Sequence, residues 1–111
     1  MAYIPERGDV IWLTFTPQAG REQSGRRPAL VLSPKAYNGK TGLAVVCPIT
    51  SHIKGYPFEV SLNAGSVQGV ALSDHAKNLD WKERRAAYEG KASVDQLRDV
   101  TNKIAALLMI E

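Results

Sequence analysis

The stretch EQSGRRPALVLSP, Glu22 to Pro34, decides how the chain is read. It opens polar and closes in the apolar run RPALVLS, ended by Pro34. A nearly continuous apolar run of this length, bounded by turn residues, predicts a strand buried on both faces, in the middle of a sheet. Two arginines, Arg26 and Arg27, stand at its mouth, with one glutamate, Glu22, a few residues upstream.

Outward from this strand the pattern repeats. DVIWLTF, Asp9 to Phe15, is rich in β-branched and aromatic residues and predicts a strand. Residues 17–25 between the two form a polar loop, long for a hairpin. NGKTG, Asn38 to Gly42, carries a turn signal. LAVVCPIT, Leu43 to Thr50, predicts a third buried strand, followed by the polar loop SHIKG. PFEVSL alternates and predicts a half-exposed strand. AGSVQG is another turn. VALSDHAKNLDW reads as two strands with a bend near Asp74, and ERRAAYEGKA is ambiguous. SVDQ, Ser93 to Gln96, fits a capping box. Leu97, Val100, Ile104, Leu107 and Leu108 follow at helical spacing, as a stripe packed on the sheet.

Five or six short strands with one closing helix predict a mainly β fold. The expected form is a strongly curved antiparallel sheet or small SH3-like barrel with a C-terminal helix. The 111 residues argue for a single domain, 1–111. So small a barrel has no interior room for a large ligand, which places function on the loops. If the first and third strands end on one side of the sheet, loops 17–25 and 50–55 flank a shared groove.

Composition narrows the class further. Hydrophobic residues make up 44% and charged residues 23%, as in ordinary globular proteins. No apolar run approaches the roughly 20 residues that span a bilayer, and the first residues lack the pattern of a signal peptide. The expectation is a cytoplasmic protein without membrane contact. One cysteine, Cys47, sits in an apolar run as a small buried hydrophobe. With two histidines beside it, a zinc site is not expected.

The net charge is +3. Between Arg21 and Phe58 lie Arg21, Arg26, Arg27, Lys35, Lys40 and Lys54 against one acid, Glu22. Positive charge gathered in one third of the chain suits a phosphate-bearing partner, or else a solvated face.

Four blocks carry a resemblance along nearly the whole chain: GDVIWLTFTPQAGREQSGRRPALVLSP, YNGKTGLAVVCPIT, KGYPFEVSL and GVALSDHAKNLDWKER. They resemble the MazF/PemK/Kid family of toxins of bacterial toxin–antitoxin pairs. The most specific motif is E-Q-x-G-x-R-P before an apolar strand. The resemblance implies an SH3-like barrel, a homodimer and sequence-specific cleavage of single-stranded RNA, with no metal or other cofactor. It also implies neutralisation by a MazE-like antitoxin whose flexible acidic tail occupies the RNA groove. The rival reading is a non-catalytic RNA- or protein-binding module on the same barrel, like the gyrase poisons of this fold.

Metal-free cleavage uses the neighbouring 2′-OH as nucleophile and leaves a 2′,3′-cyclic phosphate and a 5′-OH. A base must take the 2′-OH proton, an acid must supply the 5′ oxygen, and a cation must stabilise the phosphorane. The resemblance places a catalytic arginine at Arg27. A free guanidinium titrates above ~12, so its first role is charge stabilisation. It also places a catalytic threonine at Thr50, whose hydroxyl can donate to a phosphate oxygen. Glu22 can orient Arg27 or accept the 2′-OH proton. Asp74 matches an aspartate that is catalytic or RNA-contacting in some relatives. His75 and Ala76 depart from the family's pattern, which has glutamine at the first of these positions. A histidine there can serve as acid or base, or can hydrogen-bond RNA. Arg21, Arg26, Lys54 and Lys77 are candidate RNA contacts through phosphates, Gln23, Ser24 and His52 through polar groups, and Tyr56 by stacking a base. Taken alone, each has an ordinary structural alternative: a surface ion pair, a strand-end threonine, a solvated histidine, an aromatic anchor.

Overall fold

The computed structural model describes residues 2–15 and 25–110. Among these described residues, seven strands and two α-helices follow in chain order: β1 (Asp9–Phe15), β2 (Gly25–Val31), α1 (Lys35–Thr41), β3 (Leu43–Thr50), β4 (Glu59–Ala64), β5 (Val67–Leu72), β6 (Lys77–Asp80), β7 (Ala87–Lys91) and α2 (Val94–Leu108). All pairings are antiparallel, in the order β4-β5-β3-β2-β1-β7, with β6 also on β3. The expectation was a mainly β fold, a strongly curved antiparallel sheet or small SH3-like barrel with a C-terminal helix, and its form is the curved, unclosed sheet.

The apolar runs are continuous because the central strands are buried on both faces. Along β1, Val10 and Trp12 join one cluster while Ile11 and Leu13 join the other. Along β2, Leu30 faces the first cluster while Ala29 and Val31 face the second. Along β3, Cys47 and Ile49 face the first, and Ala44 and Val46 the second. This is the two-residue alternation of a strand, with both sides apolar.

β3 is the axis of the sheet. One edge pairs with β2 through Ala29↔Pro48, Leu30↔Cys47 and Val31↔Val46. The other edge is shared: Ile49 and Thr50 pair with β5, and Leu43 to Val46 pair with β6. Between β5 and β6 lies the expected bend, a 3₁₀ turn at Ser73–His75.

α2 begins with the predicted capping box. Ser93 Oγ accepts the Gln96 N–H at 3.0 Å, and Gln96 Oε1 accepts the Ser93 N–H at 3.0 Å. Val100 is fully buried on the first cluster, with Leu97 and Ile104 beside it. Leu107 and Leu108 were expected in that stripe, yet they are 50% and 61% exposed. The core-facing stripe ends one turn earlier, at Ile104.

The turn predicted at Asn38–Gly42 is instead the second half of α1 and its C-cap. Tertiary hydrogen bonds override the local preference of Asn-Gly for a turn. Asn38 is fully buried, and its Nδ2 donates to the carbonyls of Pro5 (2.9 Å) and Ser33 (3.0 Å). Its carbonyl accepts the Trp81 indole N–H at 2.9 Å. Gly42, at φ 76°, closes the helix and returns its N–H to the Asn38 carbonyl. The ambiguous ERRAAYEGKA contains β7, which lies on β1.

Candidate active site

Thr50 is the last residue of β3, and the loop that follows is shaped around its side chain. Thr50 Oγ1 accepts the His52 backbone N–H at 3.1 Å. The hydroxyl therefore has its own O–H left to donate outward. Further along the loop, the Lys54 and Gly55 N–H groups donate to the Glu59 carboxylate at 3.0 and 2.8 Å. Glu59 thus ties the loop back to the first residue of β4.

This loop forms one wall of a cleft of about 530 Å³, lined by Thr50, His52, Lys54, Tyr56, His75 and Lys77 over an apolar floor that includes Val46 and Pro48. Six residues singled out in the sequence meet here. Asp74 reaches the cleft through its neighbours. Tyr56 Oη donates to Asp74 Oδ1 and Oδ2 at 3.1 and 3.2 Å, and His75 Nε2 lies 3.7 Å from Oδ1. Desolvation, then the Asp74 hydrogen bond and charge, push the Tyr56 phenol above its ordinary pKa, so it stays a donor. Tyr56 also meets Phe58 edge to face at 6.4 Å. It is therefore both a fixed aromatic face and a clamp on Asp74.

A second cleft, of about 310 Å³, adjoins the first across Thr50 and is lined by Trp12, Arg26, Arg27, Ser66 and Gln68 among others. Arg26 lies along β1: its Nη1 donates to Thr14 Oγ1 (2.7 Å) and the Arg84 carbonyl (3.2 Å), and its Nη2 to the Trp12 carbonyl (3.4 Å). Strand alternation puts Arg27 on the face of Ala29 and Val31, and Thr50 on the face of Pro48 and Val46. The β2–β3 ladder ends at Ala29↔Pro48, and its register, continued, aligns Arg27 with Thr50.

Glu22, Arg21, Gln23 and Ser24 lie outside the described residues. Two carboxylates escaped the sequence reading, Glu59 and Glu89. Glu59 had a faint signal as the first acid after the basic run. Glu89, which accepts from Trp12 and Ser66, had none. Among the described residues no group of three or more His, Cys, Asp or Glu is placed to hold a metal ion. No helix among them is long and apolar enough to cross a membrane.

Known proteins resemble the chain along nearly its whole length. Residues 6–108 match the family model described as "PemK-like, MazF-like toxin of type II toxin-antitoxin system". The endoribonuclease toxin MazF of Escherichia coli K12 is 45% identical over 106 residues, 96% of each chain. A crystal structure of MazF from Deinococcus radiodurans superposes with a TM-score of 0.90 at 56% identity, over 98% of this chain and 100% of that one. A MazE–MazF crystal structure from the same organism gives a TM-score of 0.90 at 55% identity, with the same coverage.

Proposed function

The chain belongs to the PemK-like, MazF-like toxins of type II toxin–antitoxin systems, and on that footing we propose that it is an endoribonuclease toxin. It cuts single-stranded RNA at a short word by attack of the neighbouring 2′-OH. It works in the cytoplasm as a homodimer. A MazE-like antitoxin neutralises it by laying a flexible acidic tail in the same groove. The observation that carries this reading is the meeting of Arg27 and Thr50 on one face at adjoining strand ends, beside a cleft bearing His52, Lys54, His75 and Lys77.

In the reaction the 2′ oxygen bonds to phosphorus and the P–O5′ bond breaks. Arg27 forks onto the non-bridging oxygens and offsets the charge that builds on the phosphorane. Thr50, oriented by the His52 N–H that its oxygen accepts, donates its own O–H to the same phosphate. Two groups qualify to move the protons, Glu22 and His75. Asp74 holds Tyr56, and through it the stacking face of the large cleft. Lys54 and Lys77 take flanking phosphates, and Arg21, Gln23 and Ser24 are further RNA-contacting residues.

The test uses purified protein, a long unstructured RNA and excess EDTA, with cut ends mapped and identified. The expected result is cutting at one short word, leaving a cyclic phosphate and a 5′-OH. Arg27→Ala should lower the rate by about 10²-fold or more while its circular dichroism stays native. Intact RNA with a folded, antitoxin-free protein would instead favour the non-catalytic binding module.

A further inference from the structure

The strand order leaves β4 and β7 at opposite ends of the sheet. The sheet curls until these ends meet, and a side chain fastens them. Glu89 of β7 is half-buried, and both carboxylate oxygens are occupied. Oε1 accepts the Trp12 indole N–H at 3.0 Å. Oε2 accepts the Ser66 backbone N–H at 2.6 Å and the Ser66 hydroxyl at 2.9 Å. The Ser66 amide first, then the Trp12 and Ser66 side chains, hold the carboxyl below its ordinary pKa, so it is a charged acceptor. The approach is close on both sides. A Cβ on Gly65 would overlap Glu89 Oε2 and the Glu89 carbonyl, and one on Gly90 would come within 2.8 Å of the Gly65 nitrogen.

Both anchors of this carboxylate line the cleft that holds Arg27 and Thr50. Trp12 pairs with Pro28, the residue after Arg27, and its carbonyl accepts from Arg26. Ser66 leads into β5, where Gly69 packs so tightly on Thr50 that a Cβ would overlap the Thr50 carbonyl. The β2–β3 ladder stops at Ala29↔Pro48. Backbone pairing between these strands therefore ends short of Arg27 and Thr50, which are held instead by their outer neighbours, Arg27 on Leu13 of β1 and Thr50 on Val70 of β5. Glu89 ties these two outer strands together, through Trp12 of β1 and Ser66 just before β5.

We propose that Glu89 is a positioning residue for RNA cleavage: its carboxylate latches the seam between β7 and the β4–β5 turn, and so sets the spacing of Arg27 and Thr50. This rests on the endoribonuclease reading above. Glu89 acts through Trp12 and Ser66 and touches no reacting atom. Loosening the latch separates two groups that must hold one phosphate together. It leaves Lys54 and Lys77 to bind RNA as before, so the loss falls on kcat rather than KM.

Three variants test it. Glu89→Ala removes both arms. Glu89→Gln keeps the size but turns an NH2 toward one set of donors. Ser66→Ala removes only the hydroxyl of an exposed residue, so it keeps the fold even where Glu89→Ala does not. Readouts are kcat and KM on a short single-stranded RNA in EDTA, with the ¹H–¹⁵N indole resonances of Trp12 and Trp81. Trp81 donates to Asn38 in the opposite cluster and serves as internal reference. In Glu89→Gln kcat should fall on the order of tenfold or more, with KM within about twofold. The Trp12 resonance should shift while that of Trp81 stays, and Ser66→Ala should lose less in kcat. Trp12→Phe should cost less in the Glu89→Ala background than alone. Wild-type kcat in folded Glu89→Gln and Ser66→Ala overturns the positioning role alone. So does a kcat loss matched by the unfolded fraction with both indole resonances shifted. A wild-type protein that cuts no RNA overturns the endoribonuclease reading, and the positioning role falls with it.

Discussion

Gly69 shows how little room surrounds Thr50. Its missing Cβ is what lets β5 lie against the Thr50 carbonyl. Gly69→Ala forces backbone apart rather than a side-chain tip, so it should cost about 1–3 kcal/mol in urea unfolding. It should also slow cleavage more than an equally destabilising change in α2, because the displaced atom belongs to Thr50. The sequence showed that Arg27 and Thr50 stand where an apolar strand meets a polar loop, but only the family resemblance singled them out, since a strand-end arginine or threonine is ordinary on its own. Glu89 was not legible, because its partners Trp12 and Ser66 lie 77 and 23 residues away. Asn38 misled for a similar reason. Its neighbour Gly39 signals a turn, while the hydrogen bonds that decide its place come from Pro5, Ser33 and Trp81.

Among the elements, those governed by local chemistry were the readable ones. β1 and β3 have the bounds their apolar runs predict, and α2 starts at its capping box. Ser93→Ala removes the oxygen that receives the Gln96 N–H, and should lower stability by about 1 kcal/mol as measured by urea midpoint. Cleavage by the folded fraction should be unchanged, since the cap is not part of either cleft. α1 was hidden because seven residues are too few to show a period of 3.6. β7 was hidden because AYEGK has one buried residue, Gly90, and no alternating apolar side chains. Its place comes from pairing with β1 and from the Glu89 latch, which are tertiary facts. Leu107 and Leu108 keep helical spacing beyond Ile104, the last residue of α2 packed on the core.

At the scale of the whole molecule, stability depends on protons held by the buried Cys47, the part-buried Tyr3 and the ion-paired Lys91. Burial, with the Asp74 charge, pushes the Cys47 thiol from 9.0 up to about 12. Burial and the Asp9 hydrogen bond raise the Tyr3 hydroxyl, and bonds to Glu6 and Asp9 raise Lys91. Each of these groups binds its proton more tightly folded than unfolded. Their contribution is complete below the unfolded values and is lost as pH climbs through the folded ones. Thermal unfolding should therefore be flat with respect to Cys47 up to pH 9.0 and fall between there and about 12. Cys47→Ala should show a shallower fall over the same range, and native Cys47 should resist alkylation by iodoacetamide at pH 8. The β1–β2 ladder has a different consequence. Phe15 pairs with Gly25, so the two ends of the intervening segment are clamped whatever that segment contains. Doubling the length of a flexible connection costs only about 0.6 kcal/mol. The curved sheet thus offers a socket in which loops of other lengths and compositions can be grafted, and new recognition can be selected there without redesigning the core.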